Sequence, residues 1–117
     1  MGYTHYFRNP KGFTDKQWND FILKVKDIFA KTDVPLANSY GEKGTKPTVD
    51  HLSVRFNGVG EDSCETCVVL KTPQRFEFTK TRHHPYDKVV VAVYKAAREV
   101  NPSIELSSDG GNEVFGS

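Results

Sequence analysis

Two segments of the chain carry apolar residues at the three- and four-residue spacing of an amphipathic helix. The first set is Trp18, Phe21, Ile22, Val25 and Phe29; the second is Tyr86, Val90, Val93, Ala97 and Val100. Thr14 and Gln17 form the signature of a capping box, so we predict that the first helix runs from Thr14 to about Lys31. The second helix is expected to stop at Asn101-Pro102, because proline cannot continue it.

Shorter segments have the composition or the alternation of β-strands. They are residues 2–7, 50–56, 65–71, 74–80 and 103–108. Within 50–56, one predicted face carries Leu52, Val54 and Phe56, and the other carries His51, Ser53 and Arg55. Asn57-Gly58 predicts a turn. Residues 32–49, with two prolines, two glycines and scattered lysines, predict a long loop.

The predicted order of elements is β-α-β-β-β-α-β. Helices separated by an antiparallel meander indicate an α+β fold, a two-layer sandwich of two helices on a mainly antiparallel sheet. The order is similar to that of a ferredoxin-like fold with one additional strand. A length of 117 residues predicts a single domain spanning 1–117.

Composition narrows the classes of function. Hydrophobic residues make up 37% of the chain and aromatic residues 12%, enough for a core, and the formal net charge is only +1. So weak a charge argues against a protein that coats nucleic acid, and we expect no nucleic-acid polymer as partner. No apolar run approaches the roughly 20 residues of a membrane span, and the first residues lack the apolar core of a signal peptide. We therefore expect a cytoplasmic protein with reduced thiols.

Positive charge is concentrated where the last predicted strand before the second helix meets that helix. Between residues 71 and 88 the cations are Lys71, Arg75, Lys80, Arg82 and Lys88, and the acids are Glu77 and Asp87. A helix N-terminus is already partly positive, so this pattern predicts an anion site suited to phosphate. Strand alternation places Phe76 and Phe78 on the side of Lys80 and Arg82, where rings could stack on bases. The alternative is a solvated cationic loop, with the aromatic residues in the core.

Other candidate chemistry is weaker. Cys64 and Cys67 form an isolated C-x-x-C, but zinc needs four ligands, and the adjacent His83-His84 pair lacks the usual spacing. We therefore expect no metal and no cofactor. His5 and His51 are isolated histidines, and the chain contains none of the common catalytic motifs. The sequence predicts a protein that is not an enzyme.

Several short pieces resemble a family of small phage and prophage proteins that begin "GYTHYW". This chain has GYTHYF at 2–7, FNG at 56–58, ET at 65–66, KT at 80–81, PYD at 85–87 and SDG at 108–110. Phe7 departs from the usual tryptophan. The family that the chain resembles includes the phage anti-CBASS sponges. These proteins bind cyclic dinucleotides such as 3′3′-cGAMP without cleaving them and so block host defence.

The resemblance implies a homo-oligomer, a tetramer, that acts in the host cytoplasm and has nucleotide pockets. The ligand-binding residues it implies are Tyr3, His5, Tyr6, Asn57, Lys80, Thr81, Arg82, Tyr86, Asp87 and Asp109. Lys80 and Arg82 would hold phosphates. Tyr3, Tyr6 or Tyr86 would stack on bases. Asp87, Asp109 or Asn57 would read base edges.

Two other functions stay open at this point. One is a nucleotide-directed hydrolase that uses His5, His51 or His83 with Asp87 or Asp109. The other is a phage inhibitor or structural protein that binds another protein through the 32–49 loop.

Overall fold

The computed structural model describes residues 2–116, which form two α-helices and six β-strands. In chain order they are β1 (Thr4–Asn9), α1 (Asp15–Lys31), β2 (Thr48–Val49), β3 (Ser53–Phe56), β4 (Cys67–Leu70), β5 (Gln74–Lys80), α2 (Asp87–Val100) and β6 (Glu105–Ser108). Short 3-10 helices span Gly60–Asp62 and Asn112–Phe115. The predicted α+β class and both predicted helices are confirmed, and β2 is an addition inside the predicted 32–49 loop.

The strands form two antiparallel sheets of three strands each, with the orders β5-β1-β6 and β2-β3-β4. The single sheet of a ferredoxin-like fold is therefore not formed, because β4 and β5 do not share a backbone ladder. The side chain of Gln74 lies between them instead. Its Oε1 accepts from the Leu70 amide at 2.9 Å, and its Nε2 donates to the Val68 carbonyl at 3.2 Å. A side-chain amide thus links the two sheets at the start of β5, and at the end of β5 the Glu65 amide donates to the Lys80 carbonyl at 3.1 Å.

The core lies between the helices and the inward faces of the sheets. Its largest fully buried side chains are Trp18, Tyr86, Tyr94, Phe7, Phe21, Phe56 and His5. The capping box at the start of α1 is confirmed, since the Thr14 hydroxyl accepts from the Gln17 amide and the Gln17 side chain accepts from the Thr14 amide. Among residues 2–116, no helix has the length and the apolar character needed to cross a bilayer.

The alternation predicted for residues 50–56 holds only for the second half of that segment. Val54 and Phe56 are buried as predicted, but Leu52 is 52% exposed and Ser53 is buried. The cause is Asp50, whose Oδ1 accepts the amides of Leu52 and Ser53 at 2.9 and 2.8 Å. This Asx-type turn interrupts the strand, so β3 begins only at Ser53.

We predict that Thr14→Ala lowers the free energy of unfolding by about 1 kcal/mol, because the first turn of α1 loses the side-chain acceptor for an unpaired amide. Urea denaturation measures the loss. Asn19→Ala, an exposed change on the same helix, is the control and should alter stability by less than about 0.5 kcal/mol. Equal effects of the two substitutions would contradict the capping role.

Candidate functional site

A chain of hydrogen bonds joins the ends of four elements beneath the junction of β5 and α2. His5 of β1 is fully buried. Its Nδ1 lies 2.8 Å from Ser108 Oγ at the end of β6, and its Nε2 lies 2.7 Å from Asp87 Oδ1 at the start of α2. Thr81, the residue after β5, donates its hydroxyl to the same carboxylate oxygen. Three predicted site residues, His5, Thr81 and Asp87, are therefore brought together, and Ser108 joins them.

The carboxylate of Asp87 is the charged centre of this chain. Burial disfavours its ionised form and alone would raise its pKa, but hydrogen bonds from His5 and Thr81 outweigh burial, so the pKa of Asp87 lies below its ordinary value. Since the carboxylate accepts, Nε2 of His5 carries a proton. The sequence predicted that the cations at this junction surround an anion. The chain itself supplies one negative group there, the carboxylate of Asp87.

Directly above this buried chain, the backbone makes a strained turn at Arg82 and His83. Their φ angles are 54° and 61°, a left-handed region that non-glycine residues seldom occupy. Three backbone hydrogen bonds hold the turn. The amides of Thr81 and Arg82 donate to the Tyr3 carbonyl at 2.9 and 3.4 Å, and the His84 amide donates to the Thr81 carbonyl at 2.9 Å. Strain of this kind, on the order of 1–3 kcal/mol per residue, is concentrated at binding and catalytic sites. Both side chains of the turn are exposed.

Tyr3 provides an aromatic surface beside the turn. Its ring stacks on His83 with a centroid separation of 3.6 Å and an angle of 20°, and meets His5 edge-on at 5.0 Å. The Tyr3 hydroxyl lies over Gly110, where any Cβ would overlap it. A larger residue at position 110 would therefore displace Tyr3 from His83. The SDG segment therefore does more than form a turn, because Gly110 leaves room for the Tyr3 ring to stack on His83.

Lys80 and Arg82 supply cations next in sequence to this aromatic pair or to its neighbours. The Lys80 side chain runs along Gly2, next to Tyr3, and Arg82 projects into solvent. Within residues 2–116, neither of them forms an ion pair with a carboxylate. Strand alternation was expected to place both Lys80 and Arg82 on the side of Phe76 and Phe78. It applies to Lys80 but not to Arg82, because β5 ends at Lys80 and Arg82 lies beyond the strand. Both cations remain available to an anionic ligand.

The N-terminus of α2 has fewer free amides for binding an anion than the sequence predicted. The amide of Asp87 donates to the His84 carbonyl at 2.8 Å, and the amide of Val89 donates to the Tyr86 carbonyl at 2.9 Å. The Asp87 carboxylate also occupies this end of α2. An anion at the junction would therefore be held by side-chain cations and not by these amides.

Two predicted contact residues are buried with their polar atoms already paired. Asn57 Nδ2 donates to the carbonyls of Ser39 and Cys64, and its Oδ1 accepts the amides of Gly58 and Cys64. Tyr86 is fully buried and donates to the Glu65 carbonyl at 2.7 Å, and burial raises the pKa of its hydroxyl. Because neither has free surface, we assign both a structural role in place of base reading and stacking.

Asp109 and Tyr6 form a separate pair on the outward face of the first sheet. The Asp109 carboxylate accepts the Tyr6 hydroxyl at 3.1 Å and the Thr4 amide at 3.2 Å. The hydrogen bond to Asp109 raises the pKa of Tyr6. These two predicted residues therefore lie outside the buried chain of His5 and Asp87, on a neighbouring surface.

The two cysteines lie away from any cluster of metal ligands. Cys64 is half-buried, Cys67 is buried, and neither is in a disulfide. Burial raises the pKa of the Cys67 thiol. Residues 2–116 contain no group of three or more His, Cys, Asp and Glu side chains placed to hold a metal ion.

Comparison with protein-family models, curated proteins and solved structures finds no match to this chain. The resemblance described in the sequence analysis therefore stays a prediction.

We predict that Asp87→Asn lowers the free energy of unfolding at pH 7 by about 2 kcal/mol, because the charge-assisted hydrogen bond between buried His5 and the half-buried carboxylate is weakened. The folded-state pKa of Asp87 is depressed, so its stabilisation is present above its unfolded pKa of about 4 and is lost as the pH falls through the folded value. The difference between wild type and Asp87→Asn, measured by urea denaturation, should thus shrink from pH 7 towards pH 3.

Asp62→Asn is the matched control for this substitution, since Asp62 is exposed and its carboxylate makes no hydrogen bond within residues 2–116. A wild-type advantage over Asp87→Asn that stays constant with pH would contradict the proposed role of the carboxylate.

Proposed function

We propose that this protein binds a cyclic dinucleotide at the junction of β5 and α2 and sequesters it without cleaving it. The observation that supports the proposal most is the strained Arg82–His83 turn, which sets a cation beside the stacked rings of Tyr3 and His83. An aromatic pair suits a nucleobase, and Arg82 with Lys80 suits phosphate. The ligand class, with 3′3′-cGAMP as the first candidate, comes from the resemblance to anti-CBASS sponges.

The same proposal includes a homo-oligomer, a tetramer, acting in the host cytoplasm. On one chain the junction is an open surface, since Arg82 and His83 are both exposed. Ligand sites usually enclose most of their ligand. A second copy facing the junction would complete the enclosure, and a two-fold-symmetric ligand matches an interface between identical chains. Removal of the signal by binding would block the host defence that it activates.

A hydrolase is the second candidate, and one observation favours it. Ser108, His5 and Asp87 are hydrogen-bonded in the order nucleophile, base and orienting acid. Against it, His5 is fully buried and Ser108 Oγ already accepts the Gly110 amide at 3.0 Å. These contacts suit a structural connection between strands better than a nucleophile that must reach a substrate.

We predict that Arg82→Ala and Lys80→Ala each weaken binding of 3′3′-cGAMP about ten- to a hundredfold, the loss expected when a charge-assisted hydrogen bond of about 1.5–3 kcal/mol is removed. Isothermal titration calorimetry gives the affinities. Lys43→Ala, a control that removes an exposed lysine of the 32–49 loop, should bind as wild type does. Unchanged affinity in both junction variants would remove this site from contention.

We also predict that the ligand is released intact and that the protein exceeds the mass of one chain. Light scattering measures the mass, and chromatography after heat denaturation identifies the nucleotide. A linear product that disappears in Ser108→Ala would establish the hydrolase instead. A monomer that releases intact ligand would leave the binding function standing and overturn the shared pocket.

A further inference from the structure

The sheet β5-β1-β6 leaves one of its faces uncovered, and aromatic rings lie on it. His5, Phe7 and Thr79 point towards the helices and are buried. The alternate residues point outward, where Phe76 is 63% exposed and Phe78 is 42% exposed. The register places Tyr6 of β1 directly opposite Phe78. Burying a phenylalanine side chain stabilises a protein by about 1.5–3 kcal/mol. An exposed pair on one strand lacks most of this stabilisation, so the pair needs a physical reason.

The three rings are close enough to act together. The Phe76 ring lies 6.1 Å from the ring of Tyr6 and 5.8 Å from that of Phe78, with angles of 30° and 43°. A cleft of about 210 Å³ is lined by Phe76 together with Arg8, Glu105 and Ser107. The face thus combines flat apolar surfaces with polar groups that can meet the edge of a heterocycle.

We propose that this outward face is a second binding site, which takes two or three unpaired nucleobases of a single-stranded nucleic acid by stacking on Tyr6, Phe76 and Phe78. Antiparallel sheets that bind single-stranded RNA present aromatic residues on adjacent strands in this way. The inference does not depend on the proposed cyclic-dinucleotide site, because its three rings lie outside that site and the two surfaces meet only at Lys80.

The charges on this face determine how much electrostatic attraction contributes to binding. Lys80 continues the face beyond Phe78, and Arg8 is ion-paired with Glu105. The Asp109 carboxylate, held by Tyr6, lies at the same end as Lys80. Cations and carboxylates therefore nearly balance, so binding depends on stacking and only weakly on salt. The sequence predicted no nucleic-acid polymer as partner, because a net charge of +1 argues against a charge-driven coat protein. The proposal departs from that prediction, since stacking on unpaired bases does not require a large positive charge.

A second copy of the chain fits this face less well. Three partly exposed rings offer roughly 250–300 Å² of aromatic surface. A stable interface between proteins buries about 800 Å² on each partner. The rings instead match the size of a few bases, each of which is stacked on one ring.

The test measures fluorescence anisotropy of labelled single-stranded oligouridylate, oligoadenylate and their DNA counterparts with the full-length chain. Binding of single strands, with no binding of a duplex of the same sequence, is expected. Phe76→Leu/Phe78→Leu keeps apolar side chains but removes both rings, and it should weaken binding about tenfold or more. Phe76→Tyr/Phe78→Tyr keeps the rings and should retain binding, which also shows that substitutions at these positions are tolerated.

Tyr40→Leu removes an exposed ring from the 32–49 loop, which is not on this sheet, and should leave the affinity unchanged. Absence of binding by the wild-type chain, or equal binding by the double leucine variant, would overturn the inference. So would a double leucine variant whose only change, by light scattering, is a lower mass, because the face would then bind another copy. RNA binding alone or DNA binding alone would each support the site and identify its ligand.

Discussion

The hydrogen bond between His5 Nε2 and Asp87 Oδ1, 2.7 Å long, is the interaction on which the junction depends. It fixes the first residue of α2 against the central strand of the first sheet, and through Ser108 and Thr81 it also fixes the ends of β6 and β5. The Asp87 carboxylate is half-buried, and a carboxylate partly withdrawn from water is stable only when its acceptors are paired. Because the carboxylate is paired with His5 and Thr81, the start of α2 and the end of β5 are held against β1. The strained turn between them is therefore kept in place.

The local parts of the fold could be predicted from the sequence, and the long-range parts could not. Helix α1 follows from the Thr14 capping box and from apolar spacing, both of which act within a few residues. The strands divide into two sheets, and the Gln74 side chain of β5 bonds to the backbone of β4 where no ladder forms. Nothing in the alternation of residues 74–80 indicates that role, because a glutamine beside a strand is usually solvent-exposed.

The same limit applies to the candidate site. The excess of cations near residue 82 predicted a site at the junction of β5 and α2, because charged residues can be read directly from the sequence, and that location stays a prediction. Asn57 and Tyr86 were expected to contact the ligand, but both are buried and their polar atoms bond to loop and strand backbone. Ser108 was missed because a lone serine carries no signal until the fold places it 2.8 Å from His5. The left-handed turn at Arg82 and His83 was missed as well, since it arises from contacts with Tyr3 that are distant in sequence.

In the proposed function, the strained turn and the Tyr3–His83 stack form the nucleotide site. Titration of ¹⁵N-labelled protein with 3′3′-cGAMP, followed by amide chemical shifts, locates the ligand on the chain. We expect the largest shifts on Tyr3, Arg82 and His83, with the amides of the 32–49 loop unaffected. Saturating ligand that leaves those three amides unchanged, or that shifts mainly residues remote from the junction, would contradict it.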